Sequence, residues 1–355
     1  MSAARTFRNG RVPARQAGLS LIELLVAMTL GTIVTIGIIQ MFTANQETYQ
    51  VNIGQARMQE NARFAMEFLT APIRMAGFTG CFSEEDGLFF AVNDVGAGPP
   101  YEADFAAGAL AGHEATSANP PGTWSPALAA LPADIDTATI APGTDVLTVR
   151  LTDSNGLRIQ EAQIQTTDQL RVREPSAENA ARYAQGTLMV VSDCQKAAVF
   201  QATGTTLGSP TRIDHVGGAA GVAPGNSTQN LSIDNTPFGE DATLHAVETQ
   251  IFFVAPGAGL NNRGDNPLSL WRKFGSGAPT ELVEGIEDLQ VLYGVDIDQD
   301  GVPNRYRTIQ TVADLSEIVT VRLSVTANSV DVVNETGDGL LRRTFTNTIA
   351  LRNRL

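Results

Sequence analysis

The stretch at residues 18–42, GLSLIELLVAMTLGTIVTIGIIQMF, limits what this chain can become more than any other feature. No charge falls between Leu24 and Ile39. Counted from Leu19, the apolar run approaches the roughly 20 residues that a helix needs to cross a bilayer. One carboxylate, Glu23, sits near its start. Ahead of it, residues 1–18 carry Arg5, Arg8, Arg11 and Arg15 without an acid, and the next basic residue is Arg57. By the positive-inside rule the leader stays in the cytoplasm and the rest of the chain is translocated. A secretory signal would have a shorter apolar region followed by a small-residue cleavage site. This run is too long and lacks that ending, so cleavage beyond it is not expected.

Helical character continues from Thr43 to about Ala71, where Pro72 makes continuation costly. Ala65, Phe68, Leu69 and Met75, with Phe64 beside them, recur at helical steps, while Gln59, Glu60, Arg63 and Glu67 take the other side. That pattern makes the second half amphipathic. A single helix over 19–71 would be about 80 Å long. Gly31, Gly37 and Gly54 are sites where it would bend or melt. Phe64, Phe68 and Leu69 read as core packing against a sheet in preference to a partner groove.

The remaining residues, 72–355, form one large acidic body. The formal net charge of the whole chain is -14, which argues against a nucleic-acid surface, and removal of the basic leader would leave the rest more acidic still. Residues 94–143 are rich in Ala, Gly and Pro, and 204–241 in Gly, Ser, Thr and Asn, so both are expected to be irregular excursions. Short β-type runs occupy 145–151, 187–192, 197–201, 247–254, 268–273, 286–293, 317–326 and 343–351. In the last of these, Phe345, Ile349 and Leu351 alternate with Thr344, Thr346 and Thr348. The expected class is α+β, a mainly antiparallel β body with long loops laid on a long helix.

Cys81 and Cys194 are the only cysteines. In a translocated body they allow one disulfide, of the order of 2 to 4 kcal/mol in stability, and otherwise two unrelated buried thiols. Asp296, Asp298 and Asp300, followed by Gly301, match the first half of a calcium loop, with the Val302 carbonyl and Asn304 side chain as further ligands. The twelfth position is Arg307 where an EF-hand needs a bidentate glutamate, so a full EF-hand is excluded. What remains is a calcium loop completed from elsewhere or by water, or an acidic β-turn. Nothing in the pattern favours catalysis. His113, His215 and His245 lack metal-ligand spacing, Asp214 beside His215 reads as a solvated pair, and no nucleophile elbow, phosphate loop or zinc signature is present. Trp271 and Arg272 carry no functional signal.

GLSLIELLVAMTLG resembles the signal of type IV prepilins and pseudopilins: Gly18 before the cut, a hydrophobic residue after it, and Glu23 at the fifth mature position. The resemblance implies cleavage between Gly18 and Leu19 by a prepilin peptidase, methylation of the new amino group on Leu19, and retention of the apolar segment. Leu19 stands where Phe is more usual. It also implies that Glu23 meets the α-amino group of a neighbouring subunit during assembly. A carboxylate near hydrocarbon costs about 2.5 kcal/mol or more on insertion scales, so a partner is needed to explain it. The alternative is a glutamate that merely snorkels to the interface.

Four further blocks, at 59–81, 190–200, 281–301 and 346–354, are similar to the PilW family of minor pilins. Both cysteines fall inside such blocks, so the resemblance implies a Cys81 to Cys194 disulfide. It further implies a pilin-like fold and a non-enzymatic role in priming or capping a type IV pilus. The partners implied are prepilin peptidase, other minor pilins, the major pilin, a tip adhesin and the inner-membrane lipid. The competing expectations are a minor pseudopilin of type II secretion and a signal-anchored periplasmic calcium-dependent binding protein.

Overall fold

The computed structural model describes residues 20–82, 88–95, 99–105, 108–116, 122–160, 168–177, 179–218, 221–233, 236–333 and 337–354. The chain divides into two compact units, Met1–Asn52 and Ile53–Leu355, and one helix, Leu21–Arg74, contributes to both.

In the first unit every described residue up to Gln50 is exposed, Leu, Ile, Val and Met side chains included. A helix that is apolar all round and buries nothing needs an apolar surround. Its threonines fit that requirement. Thr29 donates to the Val26 carbonyl at 2.9 Å, Thr32 to Thr29 at 2.8 Å, Thr35 to Gly31 at 2.8 Å, Thr43 to Gln40 at 3.0 Å and Thr48 to Ala44 at 2.8 Å. Each of these hydroxyls is satisfied within its own turn of helix, as hydrocarbon demands of Thr29, Thr32 and Thr35 inside the apolar stretch.

In the second unit the helix buries a stripe of Met58, Ala62, Ala65, Leu69 and Ile73. The stripe joins a core shared with two sheets. The larger sheet runs in the order Thr280–Glu284, Leu268–Phe274, Gln250–Pro256, Val146–Val149, Leu110–Ala115, Trp124–Ser125. The smaller runs Arg305–Arg307, Ile286–Val295, Ile318–Asn328, Arg342–Ala350. Every pairing in both is antiparallel. Alternation along Gln250–Pro256 sends Phe252 and Val254 into the helix-side core, and Ile251, Phe253 and Ala255 into a second core on the other face.

The remaining strands make two further sheets. One is Leu88–Phe90, Ala197–Gln201, Leu188–Ser192, Thr243–Ala246, Leu157–Arg158, and the other Gln169–Val172, Thr211–Asp214, Gly204–Thr206. They share a core built on Leu170, Met189, Val191, Phe200 and Ile213. The first of these sheets contains the one parallel pair among the described strands, Leu88–Phe90 on Ala197–Gln201.

The architecture is α+β as expected, with the long helix, the mainly antiparallel body and all eight expected β runs in place. Four details differ. The helix continues to Arg74 with Pro72 inside it. Proline costs a helix its hydrogen bond to the residue four back, and here the loss falls in the last turn, where bonds are already tightening to the i−3 pattern, as in Met75 N–H to Pro72 at 3.0 Å. Gly54 does not interrupt the helix, and a Cβ there would stand 2.9 Å from Val333 Cγ1. Gly54 instead permits close approach. Leu69 is fully buried, but Phe64 and Phe68 are each 38 % exposed, so the expected core trio splits.

The two expected excursions are also partly ordered. Within 94–143, Leu110–Ala115 and Trp124–Ser125 extend the six-stranded sheet, and Leu128, Leu131, Ile135 and Ile140 cover its back. The buried Arg150 anchors this segment, donating to the carbonyls of Tyr101 at 3.0 Å and Gly108 at 2.9 Å. Within 204–241, Gly204–Thr206 and Thr211–Asp214 form strands. Composition marked both stretches as loops, but backbone pairing needs few apolar residues once an adjacent strand supplies the ladder.

Candidate functional site

Gly18 and Leu19, the expected peptidase and methylation residues, lie outside the described residues. Glu23 lies in the first turn of the helix. Its backbone N–H donates to Ser20 Oγ at 3.3 Å, and Ser20 N–H donates back to Glu23 Oε2 at 3.5 Å. This reciprocal pair has the form of a capping box, and a carboxylate in the first turn also meets the positive end of the helix dipole. Glu23 thus has a local task at the helix start. Both contacts are long, so the carboxylate is weakly committed to it.

The acidic loop follows the strand Ile286–Val295. Oxygen atoms from Asp296, Asp298 and Asp300 lie within 4.8 Å of one another. Two oxygens bound to one calcium at 2.3–2.6 Å can be at most about 5 Å apart, so the three carboxylates fit a shared ion. Asp296 is buried, and its carboxylate accepts from Gly301 N–H at 2.7 Å and Asp300 N–H at 3.3 Å. Desolvation raises its pKa, but the Gly301 amide, the Asp298 side chain and the Asp300 and Gln299 amides together outweigh it and hold the group below its ordinary value. Asp300 Oδ1 accepts from Val302 N–H at 2.8 Å. Asn304 braces the loop, donating to Asp298 Oδ1 at 2.9 Å and accepting from Ile297 N–H at 2.6 Å. Arg307 turns away to the Thr311 carbonyl at 2.6 Å. Gly301, at a φ of 85°, supplies the turn.

Cys81 and Cys194 are joined, with Cα atoms 4.7 Å apart across 113 residues of sequence. The bond ties the segment after the helix to the turn between Leu188–Ser192 and Ala197–Gln201. Beside it lies a cluster that sequence spacing did not bring together. Asp153 accepts from Tyr183 Oη–H at 2.7 Å and from Ala246 N–H at 2.9 Å, and its carbonyl lies 2.8 Å from His245 Nδ1. His245 Nε2 is 2.8 Å from Thr243 Oγ1, while Ser192 Oγ has no hydrogen-bond partner. All of these side chains except Thr243 are buried, and Ser192 Oγ forms no hydrogen bond with His245. Burial first, and Asp153 second, push the Tyr183 hydroxyl pKa well up. His215 is buried as well, against the expectation of a solvated pair with Asp214, and burial lowers its pKa to about 4.

Comparison with known proteins adds two matches. Residues 13–39 match the prokaryotic N-terminal methylation motif, and residues 252–338 match the family of Type IV Pilus-assembly protein W. The second match takes in the acidic loop and the block at 281–301, whereas the blocks at 59–81, 190–200 and 346–354 lie outside it. No curated protein and no solved structure matches the chain. The methylation motif on an exposed apolar helix points to membrane anchoring, to prepilin peptidase processing and to other pilins as partners. The chain thus matches, in separate stretches, a prepilin-type methylation motif and the PilW family, two features that support a type IV pilus-related role.

Proposed function

We propose that this chain is a non-enzymatic subunit that primes or caps a type IV pilus at its tip. Prepilin peptidase removes residues 1–18, and the new terminus at Leu19 is methylated. The helix then holds the protein in the inner membrane, with its amino terminus cytoplasmic and its body periplasmic. During assembly the apolar helix bundles with those of neighbouring pilins, and Glu23 sets the register by pairing with a neighbour's α-amino group. Such a pair in a low-dielectric surround selects geometry even where its net energy is small. The body meets other minor pilins, the major pilin and a tip adhesin.

The observation that carries this reading is the exposed apolar helix with a carboxylate in its first turn, in a chain of which residues 252–338 match the PilW family. A type II secretion pseudopilin would share the helix, so the test is a deletion strain. Loss of surface pili and twitching with secretion intact supports the pilus reading; lost secretion with normal pili contradicts it.

The same body is proposed to bind one calcium through Asp296, Asp298 and Asp300, with the Val302 carbonyl, the Asn304 side chain and water as further ligands. Calorimetry on the full chain in lipid nanodiscs should register calcium binding that Asp298→Asn weakens at least roughly tenfold, since removal of one ligand charge is how such loops lower their affinity. Absence of heat with the unmodified chain would dismiss the site.

A further inference from the structure

The last turns of the helix and the helix-facing side of the six-stranded sheet enclose a groove of about 560 Å³. Its walls are mainly apolar, with Phe64 and Phe68 from the helix, Met75 just beyond its end, and Leu151. Its floor is polar. The register sets Gln250 opposite Phe274 and Phe252 opposite Arg272, so alternation puts Gln250 and Arg272 on one face. Gln250 is only 8 % exposed and its Oε1 has no hydrogen-bond partner. Arg272 Nε is likewise buried without a partner, and its guanidinium lies 5.4 Å from the Phe274 ring centroid. An orphaned acceptor and an orphaned donor on one face of the sheet, both lining a groove with half-exposed aromatic rings, carry a desolvation penalty with no return inside the fold.

We propose that this groove binds an extended apolar peptide segment of another protein chain, whose main-chain amide bridges Gln250 and Arg272 while its side chain packs between Phe64, Phe68 and Met75. The two orphans decide the ligand class. One needs a donor and the other an acceptor, and a peptide unit supplies both within a single rigid group. The charges agree, because Arg272 and Glu67 are the one cation and the one anion among the lining residues, which favours a neutral dipolar ligand. A free carboxylate would satisfy Arg272 but face Glu67 and leave the Gln250 oxygen unpaired. The volume lies within the usual range for ligand clefts, roughly 300–1,000 Å³. Peptide capture here is independent of which filament or secretion system the chain serves.

The test uses the full chain in lipid nanodiscs with ¹³C-methyl methionine. The Met75 methyl resonance is followed during titration with N-acetyl-Leu-Phe-Leu N-methylamide, with hexanoate as the carboxylate control. The expected result is a saturable Met75 shift with the capped peptide, weakened roughly tenfold or more in both Gln250→Leu and Arg272→Met. The melting temperature of Gln250→Leu should be unchanged or higher, because the substitution removes an unpaired polar atom. No Met75 response, or undiminished binding by Gln250→Leu, overturns the proposal. A response to hexanoate alone reassigns the groove to free carboxylates and overturns it too. A lower melting temperature with binding retained makes Gln250 a packing residue and likewise overturns it.

Discussion

At the scale of single residues, burial moves several titrations into the working range of the protein. Burial, helped by the charge of Asp145, raises the Glu114 carboxyl to about 7 from an ordinary value of 4.5. Asp145 is itself raised by burial to about 6, although it accepts N–H groups from Ala115 at 2.9 Å and Val291 at 2.8 Å. A carboxyl with a raised folded pKa holds its proton more tightly when folded. Its contribution is therefore full below the unfolded value and lost as pH climbs through the folded one. For Glu114 that window runs from 4.5 to about 7. His215 works in the opposite sense, since a folded value lowered from 6.5 to about 4 adds stability as pH rises across that interval. A difference measurement separates the two. Wild type should lose melting temperature relative to Glu114→Gln as pH rises through the Glu114 window, and parallel curves would contradict the assignment. Sequence alone exposed residues whose chemistry is local, such as the alternating aspartates at 296–300 and the carboxylate inside an apolar run. It missed Asp153, whose partners Tyr183 and His245 are 30 and 92 residues away. It also missed Gln250 and Arg272, whose significance lies in partners they lack.

The long helix shows the same division at the scale of elements. Its extent, its apolar half and its buried stripe follow from periodicity, but its details depend on what packs against it. Gly54 reads from sequence as a weak point, and in isolation a larger residue would favour the helix by a fraction of a kcal/mol. A Cβ there would lie 2.9 Å from Val333 Cγ1 and 3.2 Å from Ser329 Cβ. Gly54→Val should therefore destabilise the chain by about 1–3 kcal/mol, the usual cost of overpacking, as read from denaturant midpoints. Gly37→Val is the control, because nothing lies within 4 Å of a Cβ at that position. Equal stability of Gly54→Val and wild type would show that the close approach is not made. The helix end is also settled from outside. Asn353, near the end of the chain, donates to the carbonyls of Met75 at 3.4 Å and Ala76 at 3.1 Å, while Gly77 takes a φ of 75°. A terminal block that carried only a resemblance in sequence thus has a physical task, capping the last turn.

For the molecule as a whole, strand positions were legible because apolar alternation is local, whereas sheet order was not. Leu110–Ala115 pairs with Val146–Val149 across a segment whose composition signals loop, and only the tertiary ladder reveals it. The disulfide joins parts of the body 113 residues apart. Replacing both cysteines by serine should cost about 2–5 kcal/mol in unfolding free energy, and an unchanged midpoint under non-reducing conditions would contradict that contribution. The central claim remains the role of Glu23 in assembly, and its capping contact with Ser20 offers a rival explanation for its presence. Glutamine keeps the capping geometry while removing the charge. The deciding measurement is complementation of the deletion strain with Glu23→Gln, scoring processing by gel mobility and incorporation by the amount recovered in sheared pili. An assembly role predicts normal processing with incorporation lost, whereas incorporation at the wild-type level would make Glu23 a helix cap and contradict its part in setting the filament register.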